Sequence, residues 1–167
     1  MNRAARFIYL NRTCWNGLYR VNLSGRFNVP LGTKTNVLLP TDNFIHASRA
    51  LTDASLQSCD FERTIDRAGR GDFIFADPPY TVRHNNNGFI KYNQQIFSWD
   101  DQIRLRDSLW RAHLRGAKVL LTNANHTSVV QLYEDFPVVQ ALGRNSLLSA
   151  DTQYRGSVEE LLVRSWT

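Results

Sequence analysis

Apolar residues at Ala4, Phe7, Ile8 and Leu10, spaced among polar neighbours, predict a helix over residues 3–11, with Gly17 ending that region. From Leu18 to Pro30 the pattern shortens to alternation on either side of Ser24-Gly25. That predicts a β-hairpin turning there, its ladder broken by Pro30 and Gly32. A short helix is expected over 42–51, with Thr41 or Asp42 as its N-cap. Strands and helices then alternate. Residues 56–59 read as a short strand and 62–68 as a helix; 72–76 (Asp-Phe-Ile-Phe-Ala) is a continuous apolar strand of the kind buried on both faces. After a polar loop over 81–97, Ser98 and Asp101 form a capping box for a helix running to about 114, closed by Gly116. A second buried strand over 117–122, a helix over 127–134 and a strand over 138–142 follow. A polar loop over 143–156 and a final strand over 158–166 complete the pattern. The whole is α/β, with a hairpin region inserted near the start.

Composition narrows this picture only a little. With 167 residues and 43% hydrophobic content, the chain suits one domain with a sizeable core. No apolar run approaches the ~20 residues of a membrane helix, and the start lacks the apolar centre of a signal peptide, so a cytoplasmic protein is expected. Cys14 and Cys59 are too few for a disulfide framework, and they show no zinc-ligand spacing with the histidines, so no metal is expected. Charge changes the picture more. Residues 1–41 hold Arg3, Arg6, Arg12, Arg20, Arg26 and Lys34 and no acid before Asp42, whereas the rest of the chain is near neutral. Such a block suits a phosphate-rich partner such as a nucleic acid, because each neutralised phosphate releases condensed counterions. A merely solvated basic face is the competing reading.

The chemistry lies in Asp77-Pro78-Pro79-Tyr80, directly after the apolar strand 72–76. In open α/β sheets ligands sit outside the carboxyl ends of strands. An exocyclic amine on a purine is a poor nucleophile, because its lone pair is delocalised into the ring. Two acceptors on its N–H groups favour a pyramidal nitrogen and free that pair. Asp77 offers a carboxylate and Pro78 a carbonyl, while Pro78 and Pro79 stiffen the backbone. Tyr80 offers a ring for a base drawn out of the helix. Catalysis would then be positioning and electrostatics, with no covalent intermediate. The bland alternative is a turn, which Asp-Pro often begins.

Several separated segments resemble the Dam-type (D12 class) adenine-N6 DNA methyltransferases in the family's order. They are residues 6–18 (Arg-Phe-Ile-Tyr-Leu-Asn-Arg-Thr-Cys-Trp-Asn-Gly-Leu), 20–32, 59–61 (Cys-Asp-Phe), 71–80 (Gly-Asp-Phe-Ile-Phe-Ala-Asp-Pro-Pro-Tyr) and 159–163. The resemblance implies a methyltransferase that uses S-adenosyl-L-methionine on a flipped adenine in duplex DNA, at a GATC-like target. It implies that 1–41 is a target-recognition region with a β-hairpin, and that 42–167 is the C-terminal part of a catalytic domain. Arg12, Trp15 and Asn16 fall where the family contacts the DNA backbone and fills the gap left by the flipped base. Arg20 matches a guanine-reading position, and Leu18, Asn22 and Pro30 match other hairpin positions near the bases. Asp60 and Phe61 match the pair that holds the adenine end of the cofactor, and Asn123 is expected on the pocket rim. Read without the resemblance, Trp15 and Phe61 are core residues, Asn16-Gly17 is a turn and Asp60 is a helix N-cap.

The family also has a Phe-x-Gly-x-Gly cofactor loop after an earlier strand, which is not found here; Gly69-Arg70-Gly71 precedes a strand instead. The expected fold is therefore an incomplete Rossmann-like methyltransferase sheet, with strand 72–76 at an open edge. A complementing N-terminal chain is one way to complete it. Two other readings compete with the enzyme: an inactive DNA-binding remnant, and methylation of protein glutamine or RNA. The isolated chain is expected to bind S-adenosylmethionine poorly and to methylate little; sub-millimolar binding in isothermal titration would contradict this.

Overall fold

In a computed structural model, which describes residues 3–22, 24–82, 97–145 and 157–167, the basic start folds around helix α1 (Arg3–Thr13). A single 3₁₀ turn, Trp15–Gly17, follows α1. It needs a left-handed backbone at Asn16 (φ 52°) and Gly17 (φ 66°), which asparagine and glycine tolerate best. The expected hairpin survives as a reversal with little ladder: Val21 bridges Phe27, and Cys14 bridges Leu31. Its turn is closed by a side chain, because Asn22 Oδ1 accepts from the backbone N–H groups of Ser24 (3.0 Å) and Arg26 (2.9 Å). Gly32 passes so close to α1's end that a Cβ there would lie 2.6 Å from the Cys14 carbonyl oxygen. Helix α2 (Phe44–Ala50) starts later than expected, with Asn43 as its N-cap. Asp42 does not cap it. Its carboxylate instead accepts from Leu39 N–H and pairs with Arg12.

Two compact units divide the chain, Met1–Leu56 and Gln57–Thr167. Within the first unit, the Arg12–Asp42 pair ties the segment beyond 41 to α1.

The second unit is built on α3 (Phe61–Ile65), β1 (Phe73–Ala76), α4 (Trp99–Leu114), β2 (Lys118–Ala124), α5 (Thr127–Leu132), β3 (Val138–Asn145) and β4 (Ser157–Arg164). The sheet order is β1-β2-β4-β3, with β1 and β2 parallel and the other pairs antiparallel. The Ser98–Asp101 capping box forms as expected and starts α4. Residues 56–59, expected as a short strand, are irregular, because no described neighbour offers them a ladder.

Strand β1 is not buried on both faces. Ile74 and Ala76 pack against the core, whereas Phe73 and Phe75 are each 59% exposed. Alternation explains this, because register places Ile74 beside Val119 and Ala76 beside Leu121, both fully buried. The covered face continues through Leu161 and Val163 and is packed by Leu105, Leu109 and Ala112 of α4. Among described residues β1 has one ladder partner, so it is an edge strand. No helix among them is long and apolar enough to cross a membrane.

One buried polar contact ties this unit together. Asn123 on β2 donates to Gln102 Oε1 on α4 (3.1 Å), and Gln102 Nε2 donates to the carbonyl of Thr81 (3.2 Å). All three residues are fully buried. Asn123→Ala is expected to lower the unfolding free energy by about 1–3 kcal/mol, because the Gln102 amide then loses a partner it cannot replace with water. Denaturant unfolding measures this, and the Gln102→Ala, Asn123→Ala double variant should cost less than the two single changes summed.

In the first unit the hydrogen bond from Arg12, then the Leu39 N–H, hold the Asp42 carboxyl down to about 2 from the usual 3.8. A depressed folded value adds stability that is complete above pH 3.8 and lost as pH falls through about 2. Acid titration followed by circular dichroism should show this loss between those values, and Asp42→Asn should flatten it.

Candidate active site

Asp77, Pro78, Pro79 and Tyr80 leave the carboxyl end of β1. Ala76 lies beside Leu121 in the parallel register, which brings Asp77 next to Thr122. The Thr122 hydroxyl donates to Asp77 Oδ1 at 2.8 Å. One carboxylate oxygen is thereby held by the neighbouring strand, while Asp77 itself remains exposed. The far end of the motif is anchored in the core: Thr81 donates from Oγ1 to the carbonyl of Phe97 (2.7 Å), and its own carbonyl accepts from Gln102. A short proline-stiffened span therefore runs between two fixed points. Asn123, expected on a pocket rim, is instead fully buried and serves this anchor.

Asp60 takes the cap position expected of it without the resemblance. Asp60 is the N-cap of α3, its Oδ1 accepting from the Glu62 N–H (3.0 Å). Both carboxylate oxygens also accept from Arg104 Nη1, at 2.9 Å each. The Phe61 ring is only partly buried; it meets Phe97 at 5.8 Å and carries the Arg104 guanidinium 4.4 Å from its centroid. Phe97 thus joins the two halves of the site, receiving Thr81 through its carbonyl and Phe61 through its ring. The Arg104 hydrogen bond, then those from Ser98, lower the Asp101 carboxyl; the same Asp101 bond, followed by that from Asp60, raises the Arg104 guanidinium.

The residues of the first unit sort differently. Arg12 is turned inward: Nη2 donates to Asp42 Oδ1 at 2.8 Å, and Nη1 donates to the other oxygen and to the Val37 carbonyl. Trp15 is 47% exposed, its backbone N–H donating to the Pro30 carbonyl (2.9 Å). Asn16 and Leu18 are exposed beside it. Arg20 is exposed but not loose, because Nε donates to Asn28 Oδ1 and Nη2 to the Asn28 carbonyl, both at 3.0 Å. Asn22 closes the turn.

Sequence reasoning missed Thr122, Arg104, Asn28 and Asp42. For Arg104 a signal existed, since it stands three residues beyond the capping-box Asp101 on the helix. The Thr122 contact depends on which strand neighbours β1, and that pairing is not visible along the chain.

The model of the D12 class N6 adenine-specific DNA methyltransferases matches residues 1–149. The chain is 35% identical over 171 residues to the type II methyltransferase M1.LlaDCHI of Lactococcus lactis subsp. cremoris, covering 99% of this chain and 59% of that protein. It is 38% identical over 164 residues to the DNA N-6-adenine-methyltransferase of Escherichia phage P1, covering 97% of this chain and 22% of that one. A DNA adenine methylase of Vibrio cholerae matches at 33% over 166 residues, covering 98% of this chain and 59% of that protein. The chain therefore spans about three-fifths of two of these relatives and a smaller share of the phage protein. These matches give no support to a separate complementing chain. A family match over most of the length, with the Asp77–Tyr80 motif at the carboxyl end of β1, leads to one conclusion: the chain belongs to the D12 class N6 adenine-specific DNA methyltransferases.

Proposed function

We propose that this chain carries the acceptor-activating and DNA-contacting parts of a site-specific adenine-N6 methyltransferase, acting on a GATC-like site in duplex DNA. The observation that carries this reading is Asp77, held at the end of β1 by the Thr122 hydroxyl within a motif fixed at both ends. That bond holds one of the two carboxylate oxygens. A fixed acceptor meets the adenine amino group without reorganising during the reaction, and this is the electrostatic part of the catalysis. Asp77 and the Pro78 carbonyl take the two amino hydrogens, and the nitrogen lone pair turns toward the methyl donor. Tyr80 provides a ring for the flipped base. The amino proton leaves by way of the Asp77 carboxylate to water.

The methyl group is supplied by S-adenosylmethionine when bound. Asp60 and Phe61 fit its adenine end chemically, as a partly exposed carboxylate beside a partly exposed ring. In the first unit, Arg20 is the guanine-reading residue, since Asn28 holds its guanidinium by two bonds and leaves it at the surface. Trp15, Asn16, Leu18, Asn22 and Pro30 shape the surrounding surface. Arg12 has a different part, bracing that surface through Asp42.

Duplex oligonucleotides incubated with the chain and S-adenosylmethionine should gain N6-methyladenine by mass spectrometry, slowly and in GATC before other contexts. Asp77→Ala should reduce the yield at least about 100-fold, as expected for losing a group that acts on the reacting nitrogen. Salt-dependent DNA binding with no methylation above the Asp77→Ala background would favour the inactive remnant instead. Arg20→Ala should weaken GATC binding about 5- to 100-fold relative to other duplexes, in line with about 1–3 kcal/mol for a bidentate base contact. A uniform loss across all duplexes would reduce Arg20 to a phosphate contact.

A further inference from the structure

Arg104 lies where three carboxylates and an aromatic face converge. Its Nη1 is 2.9 Å from both Asp60 oxygens and 3.4 Å from Glu62 Oε2, and its Nη2 is 2.9 Å from Asp101 Oδ1. The guanidinium carbon is 4.4 Å from the Phe61 centroid. Phe97 and the core also pack against that ring, which stays partly exposed. A guanidinium is flat, stacks on rings and directs N–H donors outward in its own plane. An adenine ring with its amino group has the same three properties. Arg104 thus makes, within the chain, the contacts an adenine would make with Phe61 and Asp60.

We propose that Arg104 is a displaceable gate on the adenosine-binding edge: its guanidinium occupies the Phe61 face and the Asp60 carboxylate until an adenine ring takes both in its place. This rests on the reading of Asp60 and Phe61 given above and adds to it a residue that competes with the ligand. Displacement leaves no stranded charge, because Asp101 and Glu62 remain as partners for the departing guanidinium. Nor does it detach α3 from α4. Arg111 pairs with Glu62 (2.6 Å) and Asp66 (3.2 Å), and Arg115 donates to the carbonyls of Ile65 and Ala68. The Arg104 side chain is 39% exposed, so it has solvent into which to swing.

A gate and a brace predict opposite signs. If Arg104 braced Asp60 and Phe61 for the ligand, its removal would weaken binding; as a gate, its removal strengthens binding, because the competent state no longer has to be reached first. The experiment is isothermal titration of the full 167-residue chain with S-adenosyl-L-homocysteine, for the wild type, Arg104→Ala and Arg104→Lys. Arg104→Ala should bind about 3- to 10-fold more tightly. Arg104→Lys, which keeps the charge and loses the flat stack, should fall between the two. Wild-type affinity should rise between about 0.05 and about 0.5 M NaCl as the Asp60 pair is screened, while Arg104→Ala should show no such rise. Should Arg104→Ala melt early, Arg104→Met preserves the stem and gives the same comparison. Unchanged or weaker binding in a folded Arg104 variant overturns the gate. If Phe61→Ala binds as the wild type does, it is the assignment of Asp60 and Phe61 that fails.

Discussion

The second unit depends on one buried amide contact, between Gln102 of α4 and Asn123 of β2. Both side chains are removed from water, where an unpaired amide is costly, so α4 and β2 are fixed in register as well as in distance. Apolar packing alone would allow α4 to slide along the sheet by part of a turn, because Leu105, Leu109 and Ala112 would still find apolar neighbours. The amide pair removes that freedom. Gln102 also holds the Thr81 carbonyl, and so the same contact sets where the Asp77–Tyr80 span ends. The span begins at a strand end whose position is set by the β1–β2 ladder. The geometry of that span is therefore inherited from two ordinary structural constraints, a ladder and a buried amide.

Much of this was legible along the chain, where local chemistry dictates local structure. The Ser98–Asp101 box announces α4, because a hydroxyl and a carboxylate three residues apart satisfy each other's backbone N–H groups whatever the rest of the chain does. The motif and its strand are equally local. Failures came where a partner decides. Residues 72–76 read as buried on both faces because the run is apolar throughout, yet the face with Phe73 and Phe75 is exposed, while the open edge expected there is found among the described residues. The strand expected to end at Cys59 needs a neighbour that no described residue supplies. Asp42 looked like a cap because aspartate caps helices. Arg12, thirty positions away, holds it more strongly than a helix terminus would. The polar loop expected over 81–97 lies almost wholly outside the described residues, as does most of 143–156.

The arginines show why a charge count is a weak guide to a binding surface. Six basic residues before the first acid suggest a uniform phosphate-binding face. In the folded unit Arg12 is neutralised by Asp42, and Arg20 is held in one orientation by Asn28. These are different kinds of residue. A guanidinium paired with a carboxylate contributes little field to an incoming polyanion, and it makes the unit more rigid. One held by neutral acceptors keeps its full charge and gains direction. Direction is what base readout requires and what non-specific phosphate contact does not. Net charge sums the two, whereas hydrogen-bond partners separate them.

The same distinction applies to the site. Asp77 is held by a hydroxyl, Thr122; Asp60 is held by a cation, Arg104. A carboxylate oriented by a neutral donor remains available to any N–H presented to it. One paired with a guanidinium yields only to a ligand that replaces both the charge-assisted bond and the stacking on Phe61. Under the proposed reading, the acceptor end is preorganised, while the adenosine end is selective by competition. Phe97 keeps the two ends in mutual register, with its carbonyl bound to Thr81 and its ring against Phe61. A shift of that ring is felt at both ends, because the residue is buried and has little room to absorb it.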